Sequence, residues 1–320
     1  MKKILVTGSC GFIFSNFIRK YADFSSDFNS KYTFASVDKI IAPYNLANIN
    51  ESPIHKFYMG DIADEQFMNN VFMIEKPDYV IHGAAESFVD DSIASAAPFI
   101  HSNVVGTQVM VDLALKHNVK KFVYISTDEV YGQLKPEDKS WTEENPISPR
   151  NPYSASKAAG ELIVRAAGET HGLNYNITRC SNNYGMRQPP RNLIPKVITC
   201  LLHDQEIPIH GSGKQYREWL YVIDHCNAVM KVLENGENKE IYNIGSGLEL
   251  TNLQVVDSIS KVMNIAPKIK HVKDRPGHDF RYSVNCDKIK QMGWQPIFIN
   301  FESCIKMTIN WYKENLDFYK

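Results

Sequence analysis

Through the first half of the chain, short runs of apolar residues alternate with longer stretches in which apolar residues recur every three or four positions. The short runs, at 3–7, 33–38, 56–59, 79–84, 121–126 and 176–179, predict strands. The longer stretches, at 12–21, 64–75, 100–117 and 155–170, predict helices. Continuous apolar strands separated by helices imply an α/β fold with a parallel sheet covered on both faces. After residue 175 the alternation loosens around Pro189-Pro190, Gly211-Ser212-Gly213 and Arg275-Pro276-Gly277, which predicts a second, smaller lobe. Residues 221–234 again read as strand then helix. The expected division is therefore 1–175 for the first domain, with 217–242 returning to it, and 176–320 mainly for the second.

Composition narrows the classes of function. The chain of 320 residues is 43% hydrophobic and 22% charged, as soluble globular proteins are. Its 35 Lys and Arg nearly balance 36 Asp and Glu, so no basic excess marks a nucleic-acid binder. No stretch approaches the roughly 18 apolar residues of a membrane span. The opening Met1-Lys-Lys-Ile-Leu-Val-Thr-Gly8 leads into a glycine turn too soon for a signal peptide. Six scattered cysteines without a Cys-x-x-Cys pair fit reduced thiols in a cytoplasmic protein, with no zinc or other metal site.

The first predicted strand ends in Thr7-Gly8-Ser9-Cys10-Gly11-Phe12-Ile13, directly before a helix. Glycines there let the backbone approach a pyrophosphate, which the helix N-terminus then stabilises. Asp38 closes the second strand, where a carboxylate accepts hydrogen bonds from adenosine ribose hydroxyls and repels a 2′-phosphate. The combination points to NAD rather than NADP. Phe14 stands where a third glycine would normally lie, and its ring should alter how the first helix packs. Asp61 and Ile62, after the third strand, are placed to hold the adenine.

Tyr-x-x-x-Lys sets a phenol and an ammonium one helical turn apart, an arrangement in which the cation lowers the phenol pKa and readies it as a base. The pattern occurs twice. Tyr131/Lys135 contains Gly132 and precedes Pro136, which marks a turn; Tyr153/Lys157 opens a good helical stretch. Ser126-Thr127-Asp128-Glu129 follows an apolar strand directly, so its two carboxylates lie where parallel sheets bind ligands. Adjacent carboxylates most often form a solvated pair; beside a Tyr/Lys couple they become candidates for general acid and base.

Together these motifs resemble the extended short-chain dehydrogenase/reductases, and among them most closely the dTDP-glucose 4,6-dehydratases. The matching stretches include 6–15, His82-Gly-Ala-Ala-Glu-Ser-Phe-Val-Asp90, Ser126–Gly132, Tyr153–Lys157, Thr178-Arg-Cys-Ser-Asn-Asn-Tyr-Gly185, Gly213–Tyr221, Tyr242–Gly245 and Asp274–Asp279. The resemblance implies a Rossmann-type doubly wound parallel sheet with a smaller C-terminal α/β substrate lobe, a bound NAD, a nucleoside-diphospho-glucose substrate and a homodimer built on helices 100–117 and 155–170. It implies that Tyr153, tuned by Lys157, is the base for oxidation at C4. Thr127 would bond the C4 oxygen, Glu129 would take the C5 proton and Asp128 would protonate the C6 hydroxyl. Gly8, Gly11, Phe12, Ile13, Asp38, Asp61, Ile62, Ala84, Ala85, Tyr153, Lys157 and Asn183 would hold the cofactor. Glu86, Ser87, Thr127, Asn182, Asn192, Leu193, Pro208, His210, Arg217, Asn243, Arg275 and His278 would meet the substrate.

The chain departs from the family pattern at Phe88, where His is usual, at His210, where Tyr is common, and through 186–192. These leave thymidine and uridine nucleotides both open, since a UDP-glucose branch shares Pro-Ile-His-Gly and the missing glycine. The nearest alternative is a 4-epimerase or decarboxylase of the same fold, which keeps Tyr153 and Lys157 without needing Asp128 and Glu129. A non-catalytic scaffold would be expected to have lost part of this set, and none is lost.

Overall fold

The computed structural model describes residues 1–22, 31–44, 46–49, 52–274 and 279–319. The chain begins β1 (Lys2–Thr7), α1 (Phe12–Tyr21), β2 (Tyr32–Asp38), β3 (His55–Met59), α2 (Glu65–Glu75) and β4 (Tyr79–His82). Then come α3 (Val89–Ala94), α4 (Ala97–Phe99), a wider π-helical turn at Ile100–Val105, α5 (Gly106–Lys116) and β5 (Lys121–Thr127). A 3-10 turn at Asp128–Tyr131 leads to α6 (Pro152–His171), β6 (Tyr175–Cys180), β7 (Asn182–Tyr184), α7 (Leu193–Leu202) and β8 (Ile207–His210). The rest is β9 (Tyr216–Tyr221), α8 (Val222–Asn235), β10 (Ile241–Ile244), β11 (Glu249–Thr251), α9 (Asn252–Met263), β12 (Ile269–Val272), α10 (Asp287–Gln291) and α11 (Phe301–Glu314).

Seven strands form one sheet in the order β10-β6-β5-β4-β1-β2-β3, every pair parallel. This is the expected α/β doubly wound fold. The inner strands are buried on both faces because helices cover both. On one side Phe17 and Ile18 of α1 and Val229 and Leu233 of α8 join a core with Ile4, Val6 and Val123. On the other, Met68 and Phe72 of α2, Met110 of α5 and Val164 of α6 pack on Leu5, Val80 and Phe122. A third core gathers Ile194 and Val197 of α7, Val255 and Ile259 of α9 and Ile305 of α11. Two small sheets edge it, β11-β9-β7 and β12-β8.

Three boundaries differ by more than one residue from those the sequence predicts. The strand expected through residue 84 stops at His82, because the Gly83 and Ala84 amides turn to donate to Thr7 Oγ1 at 3.2 and 3.1 Å. The helix expected from residue 100 opens with the wider turn before regular winding at Gly106. The helix expected from 155 starts at Pro152, since Asn151 caps it by accepting from Ser154 N at 2.8 Å. Among the described residues no helix is long and apolar enough to cross a membrane, and no group of three or more His, Cys, Asp or Glu is placed to hold a metal ion.

Candidate active site

The sheet order reverses between β1 and β4, where doubly wound folds bind ligands beyond the strand ends. Here the carboxyl ends of β1, β2, β4, β5 and β6 open on a cleft of about 600 Å³, within the range of ligand sites. Its far wall comes from α7, β8 and β9.

At the first end of the cleft the wall is mostly backbone. Gly8 has φ +78°, and a Cβ on it would meet the Ala84 backbone at 2.8 Å, so this turn can press against the β4 loop only as glycine. Gly11 N donates to Gly8 O at 3.1 Å, and Phe12 and Ile13 start α1 at the cleft wall. Asp38 accepts from Cys10 N and Ile40 N, each at 2.8 Å, which fixes the end of β2 to the glycine turn. Burial pushes its pKa up against those backbone donors. A close backbone approach at a helix start and a carboxylate on the same wall fit an adenine dinucleotide. Ile62 lines the cleft, whereas Asp61 stands just behind the wall. Burial would raise Asp61, but the Ala63 amide, Lys39 and His101 outweigh it and hold the carboxyl below its usual range.

Phe14 is buried and does not displace this turn. Its ring lies against Gly83, where an added Cβ would fall inside the ring, and near Phe17 with centroids 5.8 Å apart.

At the centre of the cleft the wall is made of side chains. Thr127 ends β5; its Oγ1 accepts from Glu129 N and donates to Asp128 Oδ1, both at 3.3 Å. Asp128 is 3% exposed, and its Oδ2 has no hydrogen-bond partner among the described residues. Burial, then the nearby Glu129 and Glu218 carboxyls, push its pKa well above the ordinary range. Tyr153 and Lys157 lie one turn apart at the start of α6, with Lys157 Nζ 4.3 Å from the Tyr124 ring centroid. Burial lowers Lys157 to about 8, against the pull of Glu161 and Cys180.

The Tyr153 phenol departs from the sequence expectation. Burial and the Glu129 carboxylate push it well above 10, and the bond from Thr127 offsets this only in part. Cys180 and, last, Asp128 add smaller contributions in the upward direction.

Ala84, Ala85, Glu86 and Ser87 form the wall after β4, with Glu86 N and O held by the Asn103 side chain at 2.9 and 3.0 Å. Asn182 and Asn183 line the wall after β6, and Asn183 Nδ2 donates to Ser181 O at 3.0 Å. From the second lobe come Asn192, Leu193, Pro208, His210 and Arg217. The Arg217 guanidinium donates to the carbonyls of Tyr216 at 2.7 Å and Asp279 at 2.9 Å, and lies 4.5 Å from the Tyr282 ring centroid. Asn243 is a correction: it does not reach the cleft. It is buried in β10, where its Oδ1 accepts from Tyr131 OH at 2.8 Å and its Nδ2 donates to Trp141 O at 3.0 Å. Arg275 and His278 lie outside the described residues.

Several cleft residues escape the sequence reading. Lys39 reaches within 3.4 Å of Glu86, and Arg191 lies 4.0 Å from the Phe88 ring centroid. Both adjoin residues singled out from sequence, Asp38 and Asn192, and a search for cations beside them would have found them. Lys196, Asp279 and Tyr282 also line the cleft. Asp279 closes the stretch 274–279 matched in sequence but was given no role there, and Tyr282 carries no local signal, because only the fold brings it to Arg217. Asn151 donates to Glu129 Oε2 at 3.0 Å.

A family model described as the NAD dependent epimerase/dehydratase family matches residues 4–245. The chain is 42% identical to a dTDP-glucose 4,6-dehydratase from Streptomyces niveus, covering 98% of this chain and 93% of that one. Its structure is similar to that of DesIV, a dTDP-glucose 4,6-dehydratase from Streptomyces venezuelae solved with NAD bound. That likeness has a TM-score of 0.91 and 39% identity over 98% of this chain and 97% of the other. A UDP-glucose 4-epimerase from Thermotoga maritima matches at the same TM-score, 0.91, with 28% identity over 98% and 100% of the two chains. The backbone is thus common to dehydratases and epimerases, and with the family match spanning most of its length the chain belongs to the NAD-dependent epimerase/dehydratase family.

Proposed function

We infer that this protein is an NAD-dependent nucleoside-diphospho-glucose 4,6-dehydratase, a lyase that converts dTDP-glucose or UDP-glucose to the 4-keto-6-deoxy sugar nucleotide. Asp128 carries this reading. A buried carboxyl kept protonated beside a second carboxylate is what water elimination requires, and a 4-epimerase has no use for it. The 42% identity to a dehydratase against 28% to an epimerase supports the same choice.

Bound NAD supplies an oxidant for C4 and later restores the same hydrogen at C6. Gly8, Gly11 and Asp38 hold its adenosine and pyrophosphate; Lys157 and Asn183 hold the far end. Tyr153 takes the proton of the C4 hydroxyl while Thr127 bonds that oxygen. Lys157, one turn on along the same helix, supplies a cation that favours the ionised phenol. The new C4 ketone acidifies C5, and Glu129 removes the C5 proton. Asp128 gives its proton to the C6 hydroxyl, which leaves as water.

Residues 1–175, with part of 217–242, serve the cofactor in this reading, and 176–320 mainly the nucleotide sugar. The chain works as a homodimer through α5 and α6. Support comes from a shallow groove between them, lined by Val111, Leu115 and Ile163, beside Leu162, which is 52% exposed. Leu162→Glu is expected to give monomers in light scattering, and a monomeric parent protein would overturn the assignment. Six unpaired, buried cysteines support a cytoplasmic setting, which cell fractionation tests.

The function is tested by incubating the purified protein with dTDP-glucose and UDP-glucose in parallel and reading products by NMR. A 4-keto-6-deoxy product carrying a C4 deuterium label at C6 is expected. A C4 epimer with the label still at C4 would replace dehydration by epimerisation.

A further inference from the structure

We propose that Asn151 is a positioning residue for the elimination step, holding the Glu129 carboxylate ionised and aimed while tying it to the helix that carries Tyr153. The inference rests on Glu129 being the C5 base.

Asn151 uses both ends of its amide. Its Oδ1 accepts from Ser154 N at 2.8 Å and caps α6, and its Nδ2 donates to Glu129 Oε2 at 3.0 Å. Capping alone does not call for asparagine, because Ser and Asp cap as well; Asp has no donor, and the Ser hydroxyl is one bond shorter than the Asn amide nitrogen. The surrounding segment is seated on the same turn. Ser148 N donates to Val130 O at 2.8 Å, and Gly132, at φ +86°, leaves room for the Ser148 carbonyl, which a Cβ would meet at 2.5 Å. Arg150 is anchored in turn by Asp279 at 2.8 Å. The turn bearing Asp128 and Glu129 and the first turn of α6 therefore behave as one piece, with the Asn151 amide as the joint at the base itself.

An amide donor on a carboxylate favours its charged form, and it fixes one of the side chain's rotamers. Without it, Glu129 needs a higher pH to ionise and spends less time aimed at C5. The oxidation at C4 does not use Glu129 and should not change.

Asn151→Ser keeps the cap and removes the amide donor, leaving only a shorter hydroxyl. Its melting temperature is expected within about 2 °C of the parent. Formation of 4-keto-6-deoxy product should fall about tenfold, and the acid limb of its pH profile should move up by about one unit. Reduction of bound cofactor on mixing with substrate should stay within about threefold. Asn151→Asp also keeps the cap but sets a second negative charge beside Glu129, and should move the acid limb further up. An Asn151→Ser protein with the parental pH profile and product rate would overturn the proposal and leave Asn151 as a helix cap. A parent protein that makes no 4-keto-6-deoxy product would bring down the dehydratase reading itself, and this proposal with it.

Discussion

On α6, one turn separates two ways of burying charge. Glu161 is fully buried, and Arg179, 1% exposed, grips it with Nε at 3.0 Å and Nη2 at 2.6 Å while lying 4.6 Å from the Tyr131 ring centroid. Toward the cleft, Asp128 and Lys157 are buried too and Tyr153 is half-buried, but their charges are not closed. Asp128 Oδ2 has no partner among the described residues, and all three groups titrate far from their ordinary values. Arg179 Nη1 also has no hydrogen-bond partner among the described residues, so the regions differ not in leaving a polar atom unpaired but in whether opposite charges are joined. A matched charge becomes scaffold, and an unmatched one becomes a reagent.

The strongest way to break that contrast is to open the closed pair. Arg179→Met leaves Glu161 buried alone and is expected to cost about 3–5 kcal/mol in denaturant unfolding. Adding Glu161→Leu should recover most of the loss, since an apolar pair of similar volume removes the stranded charge. A single variant within about 1 kcal/mol of the parent would show that the ion pair is not scaffold. Glu129→Gln should act in the opposite currency: product formation falls by ~10²–10⁴-fold, while substrate still reduces the bound cofactor and stability hardly moves. Near-normal dehydration by this variant would remove Glu129 from its role.

Asp128→Asn is the mildest and the most diagnostic change. Its effect on turnover should be smaller than that of Glu129→Gln, because water can protonate the departing hydroxyl. Its effect on stability has a definite sign. The folded state raises the Asp128 pKa, so the stability of its protonated form is fully present below the ordinary carboxylate range and is lost as pH rises toward the raised value. Asn cannot ionise, so the melting temperature of the variant should gain on the parent as pH increases. A constant difference between the two across that window would mean that Asp128 titrates normally.

Much of this was legible in the chain. Apolar runs located six of the seven strands of the sheet, all but β10, because they are covered on both faces, and the glycine turn, Asp38, Thr127 to Glu129 and the Tyr153/Lys157 pair fall at strand ends where chemistry gathers. The short strands β7, β8, β11 and β12 were not legible, since unlike the equally short but apolar β4 they carry polar residues or proline among their three or four positions. Nor was the fate of Asn243, whose motif says nothing of Tyr131 and Trp141 arriving from another part of the chain. The Tyr153 phenol shows a deeper limit. Spacing along α6 revealed the pairing with Lys157, but the burial that chiefly raises the phenol, and the Glu129 carboxylate that adds to it, come from the fold.

The contact between Phe14 and Gly83 restricts the order in which this sequence can change. A ring at position 14 is admissible only while position 83 has no side chain, because a Cβ there would occupy the ring's own space. Glycine at 83 can therefore precede the phenylalanine, but the reverse order passes through a collision. Reversion is also one-way: Phe14 can shrink first and leave a hole, after which Gly83 can gain a methyl group, whereas Gly83→Ala as the opening step is blocked. Two residues nearly seventy positions apart are thus coupled in one direction, and a library that varies them one at a time would judge position 83 immutable although it is fixed only by the ring at position 14.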